Sequence, residues 1–226
     1  MSIFEEVVPI PPKDNMNVGL SAASESTMLS VLGIPGKLSD DCSAPSGEVQ
    51  KRMLMGEDVG PFEVDGLDYA VRTLEQLFGE VKQKMPDLYN EVKTAGLLCV
   101  RHRRTNPARF SNHSWGTAID IYFGSGVYPQ GMPKTHRGNL LLAPFFNKYG
   151  WYWGAEFSGD SVDSMHFELA EETILKLSNA ENKLKLSSKM GQSRDKIFRP
   201  YLEASQSADQ SRDQAPHRKK GRIATS

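Results

Sequence analysis

The residues predict an α+β fold, on three observations. Apolar residues at positions 67, 70, 71, 74, 77, 78 and 81 follow the i, i+3, i+4 spacing of a helix that buries one face. Three later runs (97–103, 117–123 and 165–169) switch to period two, the spacing of strands with one face on a core. The length, 226 residues, suffices for one well-packed domain with extensions.

Composition excludes several classes. With 38% hydrophobic and 24% charged residues the chain reads as an ordinary soluble protein, and a net charge of −1 argues against a generally basic nucleic-acid binder. No apolar run approaches the roughly 18 residues a membrane span needs. The stretch Met1 to Leu20 carries Glu5, Glu6 and Pro11-Pro12 without the apolar segment of a secretory signal. The expectation is synthesis in the cytoplasm, with any action elsewhere depending on another agent. Cys42 and Cys99 lie in no metal-binding pair. Cys99, inside Leu97-Leu98-Cys99-Val100, reads as a small buried hydrophobe, and a bridge to Cys42 is left open.

In order, residues 1–17 form an extended lead, rich in Pro and charge. A short helix over 21–32 has Ser21 or Ser24 as cap and Gly33 as stop. Residues 33–60, broken by Gly36, Pro45, Gly47 and Gly56, form a long irregular connection with one short helix near 48–54. The periodic helix over 67–81 follows, then a second helical piece over 86–94. Leu97 to Arg103 reads as a strand that would set Arg101 and Arg103 on one face. Clustered arginines usually mean a solvated loop, but an arginine beside a reactive site binds carboxylates or steadies an oxyanion. After a loop marked by Asn106, Pro107 and Ser111, the next strand turns Thr117, Ile119, Ile121 and Phe123 to the core and Ala118, Asp120 and Tyr122 away. A helix around Leu142 and Phe145-Phe146 precedes Trp151-Tyr152-Trp153, a core or pocket-wall run. Ser158 to Ser161 is a turn. The last strand points Met165, Phe167 and Leu169 inward, with His166 and Glu168 opposite.

Asp120 among apolar strand formers is costly to bury unless paired or metal-bound. His113, Asp120 and His166 offer two imidazoles and a carboxylate, a set that suits Zn²⁺ and leaves a fourth position for water. Asp163 is placed to accept the water's proton. An iron oxygenase fits less well, since its ligands run His-x-Asp/Glu and here they stand seven apart.

Ser111-x-His113-x-x-Gly116-x-Ala118-x-Asp120, followed by Asp163-x-x-His166, resembles the M15 family of zinc peptidases, the D-alanyl-D-alanine carboxypeptidase and L-alanyl-D-glutamate endopeptidase group with its VanY-like members. The resemblance covers roughly residues 66 to 178. It implies a Hedgehog-like α+β fold, a small antiparallel sheet with flanking helices around a zinc site, and cleavage of peptide bonds in peptidoglycan stem peptides. It implies His113, Asp120 and His166 as ligands and Asp163 as catalytic base, an Asp that leans toward the endopeptidase branch. The family's arginine before the motif corresponds to Arg101, with Arg103 in reserve. Ser111, Arg103 and Trp153 are further expected to bind substrate, although Ser111 serves equally as a turn former and core packing is the stronger reading for Trp153.

The domains expected are an N-terminal extension over 1–60 wrapping the core, a zinc peptidase domain over 61–180, a C-terminal extension over 181–204 and a disordered basic tail over 205–226. Specificity is expected from the loops over 33–60 and 124–138. A cell-wall enzyme without its own signal implies delivery by a partner such as a holin or a secretion apparatus. The competing class is a non-catalytic zinc-containing binding module of Hedgehog-like fold.

Overall fold

The computed structural model describes residues 2–179, so the extension over 181–204 and the tail over 205–226 lie outside the described residues. The lead is more ordered than an extended segment. Strand β1 (Val7–Pro9) lies between 3-10 turns at Ile3–Glu5 and Lys13–Asn15. Asn17 then inserts its side-chain amide beside Trp153, accepting that residue's N–H at 2.8 Å and donating to its carbonyl at 3.0 Å, as a strand neighbour would. Helix α1 (Glu25–Leu32) is capped by Ser24, whose hydroxyl accepts the Thr27 N–H at 3.2 Å, and stops at Gly33 with φ 84°.

Residues 33–60 carry the short helix α2 (Gly47–Gln50) but also strand β2 (Met53–Asp58), which pairs with β3 (Glu63–Leu67). That hairpin corrects the irregular reading of the region. Its alternation is hidden because β2 is half-exposed, carries Glu57 and Asp58, and shifts register between Leu54 and Glu57. Helix α3 (Asp68–Lys84) starts just after Leu67, so the first apolar position of the period closes a strand. The remaining positions are fully buried on one helix face: Ala70, Val71, Leu74, Leu77, Phe78 and Val81.

The second helical piece is shorter than its propensity suggests. Helix α4 (Pro86–Tyr89) gives way to strand β4 (Lys93–Gly96) because residues 93–96 pair with β7 (Ala118–Tyr122), and sheet pairing outweighs local preference. The strand expected over 97–103 also shifts. Gly96, with φ 120°, turns the chain out of the sheet, and Cys99 forms a disulfide with Cys42 next to a bridge between Ser43 and Val100. Strand character returns only in the hairpin β5 (His102–Arg103) and β6 (Asn106–Phe110). Strand β8 (Lys134–His136) pairs with β1. Helix α5 (Arg137–Lys148) runs through Pro144. An interior proline costs about 3 kcal/mol, which burial of Leu142 and Phe146 at about 1.5–3 kcal/mol each offsets.

Strands β9 (Trp151–Trp153) and β10 (His166–Leu169) complete an antiparallel sheet in the order β4-β7-β10-β9. One face packs on α5, where the Phe167 ring stacks 3.9 Å from Phe146 and 5.9 Å from Trp153. The other face carries Asp120, His166 and Glu168. Among the described residues no helix is long and apolar enough to cross a membrane.

A carboxylate at the α3–α5 contact makes stability depend on pH. Glu80 accepts from Lys148 and Lys84 at 2.6 Å and from Tyr149 at 3.1 Å, which holds its pKa down to about 2 from an ordinary 4.5, Lys148 contributing most. A depressed carboxylate stabilises the fold above its unfolded pKa and loses that contribution as pH falls through the folded one. Thermal melts should therefore show wild type above Glu80→Gln at neutral pH, with the gap closing between about pH 4.5 and 2. A gap that persists at pH 2 contradicts this.

Candidate metal centre

Strand register builds the site. Antiparallel pairing sets His166 of β10 directly opposite Asp120 of β7, and directly opposed residues project on the same face. His166 Nδ1 lies 3.1 Å from Asp120 Oδ1. His113 comes from the 3-10 turn Asn112–Trp115 that enters β7, and its Nε2 lies 3.4 Å from the same oxygen. That turn ends at Gly116 in the left-handed region (φ 60°), where a Cβ would meet the Leu67 nitrogen at 2.7 Å and the Gly66 Cα at 2.8 Å. The glycine of the motif is thus a packing requirement that lets β3 run against the turn.

One ligand atom from each of His113, Asp120 and His166 lies within 4.8 Å of the others, so the group can hold a metal. The remaining ring nitrogens decide whether they fit one. His113 Nδ1 is 3.0 Å from the Leu97 carbonyl and His166 Nε2 is 3.0 Å from Glu168 Oε2. Both partners are acceptors, so those nitrogens donate, and the other two are left to offer lone pairs to a cation bound beside Asp120. Two lone pairs and a carboxylate converging on one point are reconciled by a cation. The arrangement fits a divalent metal.

The electrostatics reflect the same competition. Burial opposes charge on His166, but Asp120 and Glu168 outweigh it and raise its pKa. Burial likewise opposes ionisation of Asp120, yet His113 and His166 hold its pKa well below the usual carboxylate range. Asp163 behaves differently: burial pushes its pKa up. Its backbone N–H donates to Gly154, while its side-chain Oδ1 is buried without a partner among the described residues.

All these groups face a cleft of about 520 Å³. Its lining includes Arg101, Arg103, Arg104, Ser111, Gln130 and Tyr152. Arg101 lies outside any strand. Its backbone is clamped by the motif turn: its carbonyl accepts from the Ser111 N–H at 3.0 Å and the Ser114 hydroxyl at 2.9 Å. Burial lowers the Arg101 pKa and Arg104 adds to that, while Asp120 and Asp163 counteract both. Arg103 donates its Nε–H to the Phe110 carbonyl at 3.0 Å.

Of the residues singled out by sequence, His113, Asp120, Asp163, His166, Arg101, Arg103 and Ser111 all reach the cleft. Trp153 does not. It is 1% exposed, donates to the Ser164 carbonyl at 2.9 Å and stacks in the core, while its neighbour Tyr152 takes the wall. Residues 33–60 supply no lining side chain, whereas Gln130 does from the second expected loop. Sequence reading also passed over Asn112 and the cleft residues Ala22 and Ala23. Glu168 was within reach, since period two puts it on the face of His166.

An α+β domain with a two-histidine, one-carboxylate group and a buried acid whose Oδ1 has no partner among the described residues, all in one cleft, has the make-up of a metal-dependent hydrolase. Residues 105–169 match the model of a peptidase family, Peptidase_M15_4, described as D-alanyl-D-alanine carboxypeptidase. The matched span contains His113, Asp120, Asp163 and His166, and it supports a peptidase of the M15 family. No curated protein and no solved structure matches the chain.

Proposed function

We propose that the chain is a zinc-dependent peptidase that hydrolyses peptide bonds in peptidoglycan stem peptides. The observation that carries this reading is the convergence of His113 Nε2, His166 Nδ1 and Asp120 Oδ1 beside the unpartnered oxygen of Asp163. Two nitrogens and one oxygen suit Zn²⁺ with a position left open. Bound there, zinc would lower the pKa of a water and polarise the scissile carbonyl.

The chain's own residues supply the rest. Asp163 accepts the proton of the attacking water and passes it to the leaving amine nitrogen, and burial raises its basicity for that task. Arg101, held by the motif turn at the cleft wall, steadies the oxyanion that forms at the carbonyl. Arg103 and Ser111 contact the substrate. The cationic side of the cleft, with Arg101, Arg103 and Arg104, suits peptides that carry free carboxylates, as stem peptides do. Within this reading, residues 61–180 are the catalytic domain and 1–60 an extension that lends Ala22 and Ala23 to the cleft. An Asp at the base position favours the endopeptidase over the D,D-carboxypeptidase. Action on the cell wall follows release or delivery by a partner such as a holin or secretion apparatus.

The test is digestion of purified peptidoglycan and synthetic stem peptides, with products identified by mass spectrometry. Cleavage is expected, abolished by a chelator and restored by added zinc. Chelator-resistant cleavage would remove the metal from the mechanism. Tight zinc binding with no stem peptide cleaved would instead support a non-catalytic binding module of Hedgehog-like fold.

A further inference from the structure

We infer that Glu168 is a positioning residue for the metal centre, and that the N-terminal segment around Ala23, outside the family match, holds it in place. The inference rests on the metal-site reading above. Glu168 follows His166 by two residues on β10 and is 3% exposed. Its Oε2 lies 3.0 Å from His166 Nε2 and accepts from Asn112 Nδ2 at 2.7 Å, while Oε1 accepts the Ala23 N–H at 3.0 Å. Asn112 Nδ2 also reaches the Ala23 carbonyl at 3.2 Å, so one amide ties the segment to the carboxylate.

The segment is itself anchored to Glu171 and Glu172, just after β10. Ser21 donates its N–H to Glu172 at 2.9 Å, Ser24 donates its own to Glu171 at 2.8 Å, and the Glu171 N–H returns to the Ser21 carbonyl at 2.9 Å. Three carboxylates thus receive the backbone N–H groups of residues 21, 23 and 24. Buried carboxylate oxygens need such hydrogen-bond donors in place of water. Here they also fix the plane of Glu168, and that plane fixes the His166 ring. With Nε2–H committed to Glu168, Nδ1 is the nitrogen left to face Asp120. Residues 21–24 are therefore part of the metal centre through a chain of hydrogen bonds, without donating a ligand.

A merely structural role would lower stability and leave metal affinity unchanged in whatever protein folds. The experiment is competitive titration of Zn²⁺ against a chromophoric chelator. It uses the full chain as wild type, Glu168→Gln, Ala23→Pro and Asn112→Ala, with near-UV circular dichroism and melting of the metal-free forms in parallel. Glu168→Gln keeps the shape but turns an amide donor toward the Asn112 or Ala23 donor. It is expected to fold and to bind zinc about 10–100-fold more weakly, the range for lost outer-shell partners of metal ligands. Ala23→Pro deletes one N–H and should shift affinity the same way by less; Asn112→Ala serves if that variant does not fold. A folded Glu168→Gln with wild-type affinity overturns the inference. If Glu168→Gln weakens binding while Ala23→Pro and Asn112→Ala both leave it unchanged, the role of the segment falls. His113→Ala in the same titration separates the readings: its loss of zinc keeps the metal site standing when Glu168 fails, and a wild type that takes no zinc overturns both.

Discussion

His113→Ala is expected to release the metal and abolish hydrolysis while the fold survives. His113 is one of three groups that could hold a metal ion, and its Nδ1 faces the Leu97 carbonyl, so alanine removes the remaining nitrogen without exposing a new charge. Structural zinc sites with four ligands are worth about 10–16 kcal/mol. Losing one donor of three should then cost on the order of 3 kcal/mol or more, about a 100-fold or greater fall in affinity. The buried packing around Ile119 and Trp115 does not depend on the imidazole, so the metal-free chain should stay folded, destabilised by about 1–3 kcal/mol through the lost donor to the Leu97 carbonyl. Metal content by mass spectrometry after dialysis is the measurement. Wild-type content in His113→Ala would refute the ligand assignment.

Asp163→Ala should separate binding from chemistry. The carboxylate stands in the same cleft as the three ligands, yet its Oδ1 has no partner among the described residues and it is not one of the clustered donors. Removing a general base typically costs about 10²–10⁴ in rate. The expected result is zinc retained at wild-type stoichiometry, kcat lowered by that factor and KM little changed. Burial opposes the charge of Asp163, so the alanine variant should be no less stable than wild type. If Asp163→Ala loses zinc along with activity, the side chain is a ligand and the proton must go elsewhere.

Two members of the candidate site, Asp120 and His166, were legible in the sequence because their facing depends on strand alternation, which local residues encode. Asp120 and His166 each stand at the polar phase of an apolar strand, and those strands form where Ile119, Ile121, Phe167 and Leu169 demand burial. The helix α3 was legible for the same reason. What escaped reading depends on partners distant in the chain. Residues 93–96 are helix-compatible by themselves and become a strand only beside β7. Cys99 looked like a plain hydrophobe because its partner Cys42 is 57 residues away. Asn17, Ala23 and Asn112 act through single amides whose targets are set by the fold, and no local pattern announces such bonds. For Trp153 the sequence left pocket and core both open for a subtler reason: in a three-residue aromatic strand, which ring faces the cleft depends on the pairing phase. Its pairing with Phe167 sends it inward.

The facing of Asp120 and His166 across two neighbouring strands has a consequence for tolerance to change. Because the two residues are held by ladder register, the irregular segment over 124–133, between β7 and β8, can be lengthened, shortened or exchanged while their geometry persists. A single inserted residue inside either strand is a different matter. It would rotate every following side chain to the opposite face, burying a ligand in the core and sending a core residue to the cleft. Variation among proteins built this way should gather in that segment and spare the strands, and any engineering of new specificity should begin there, where Gln130 reaches the cleft.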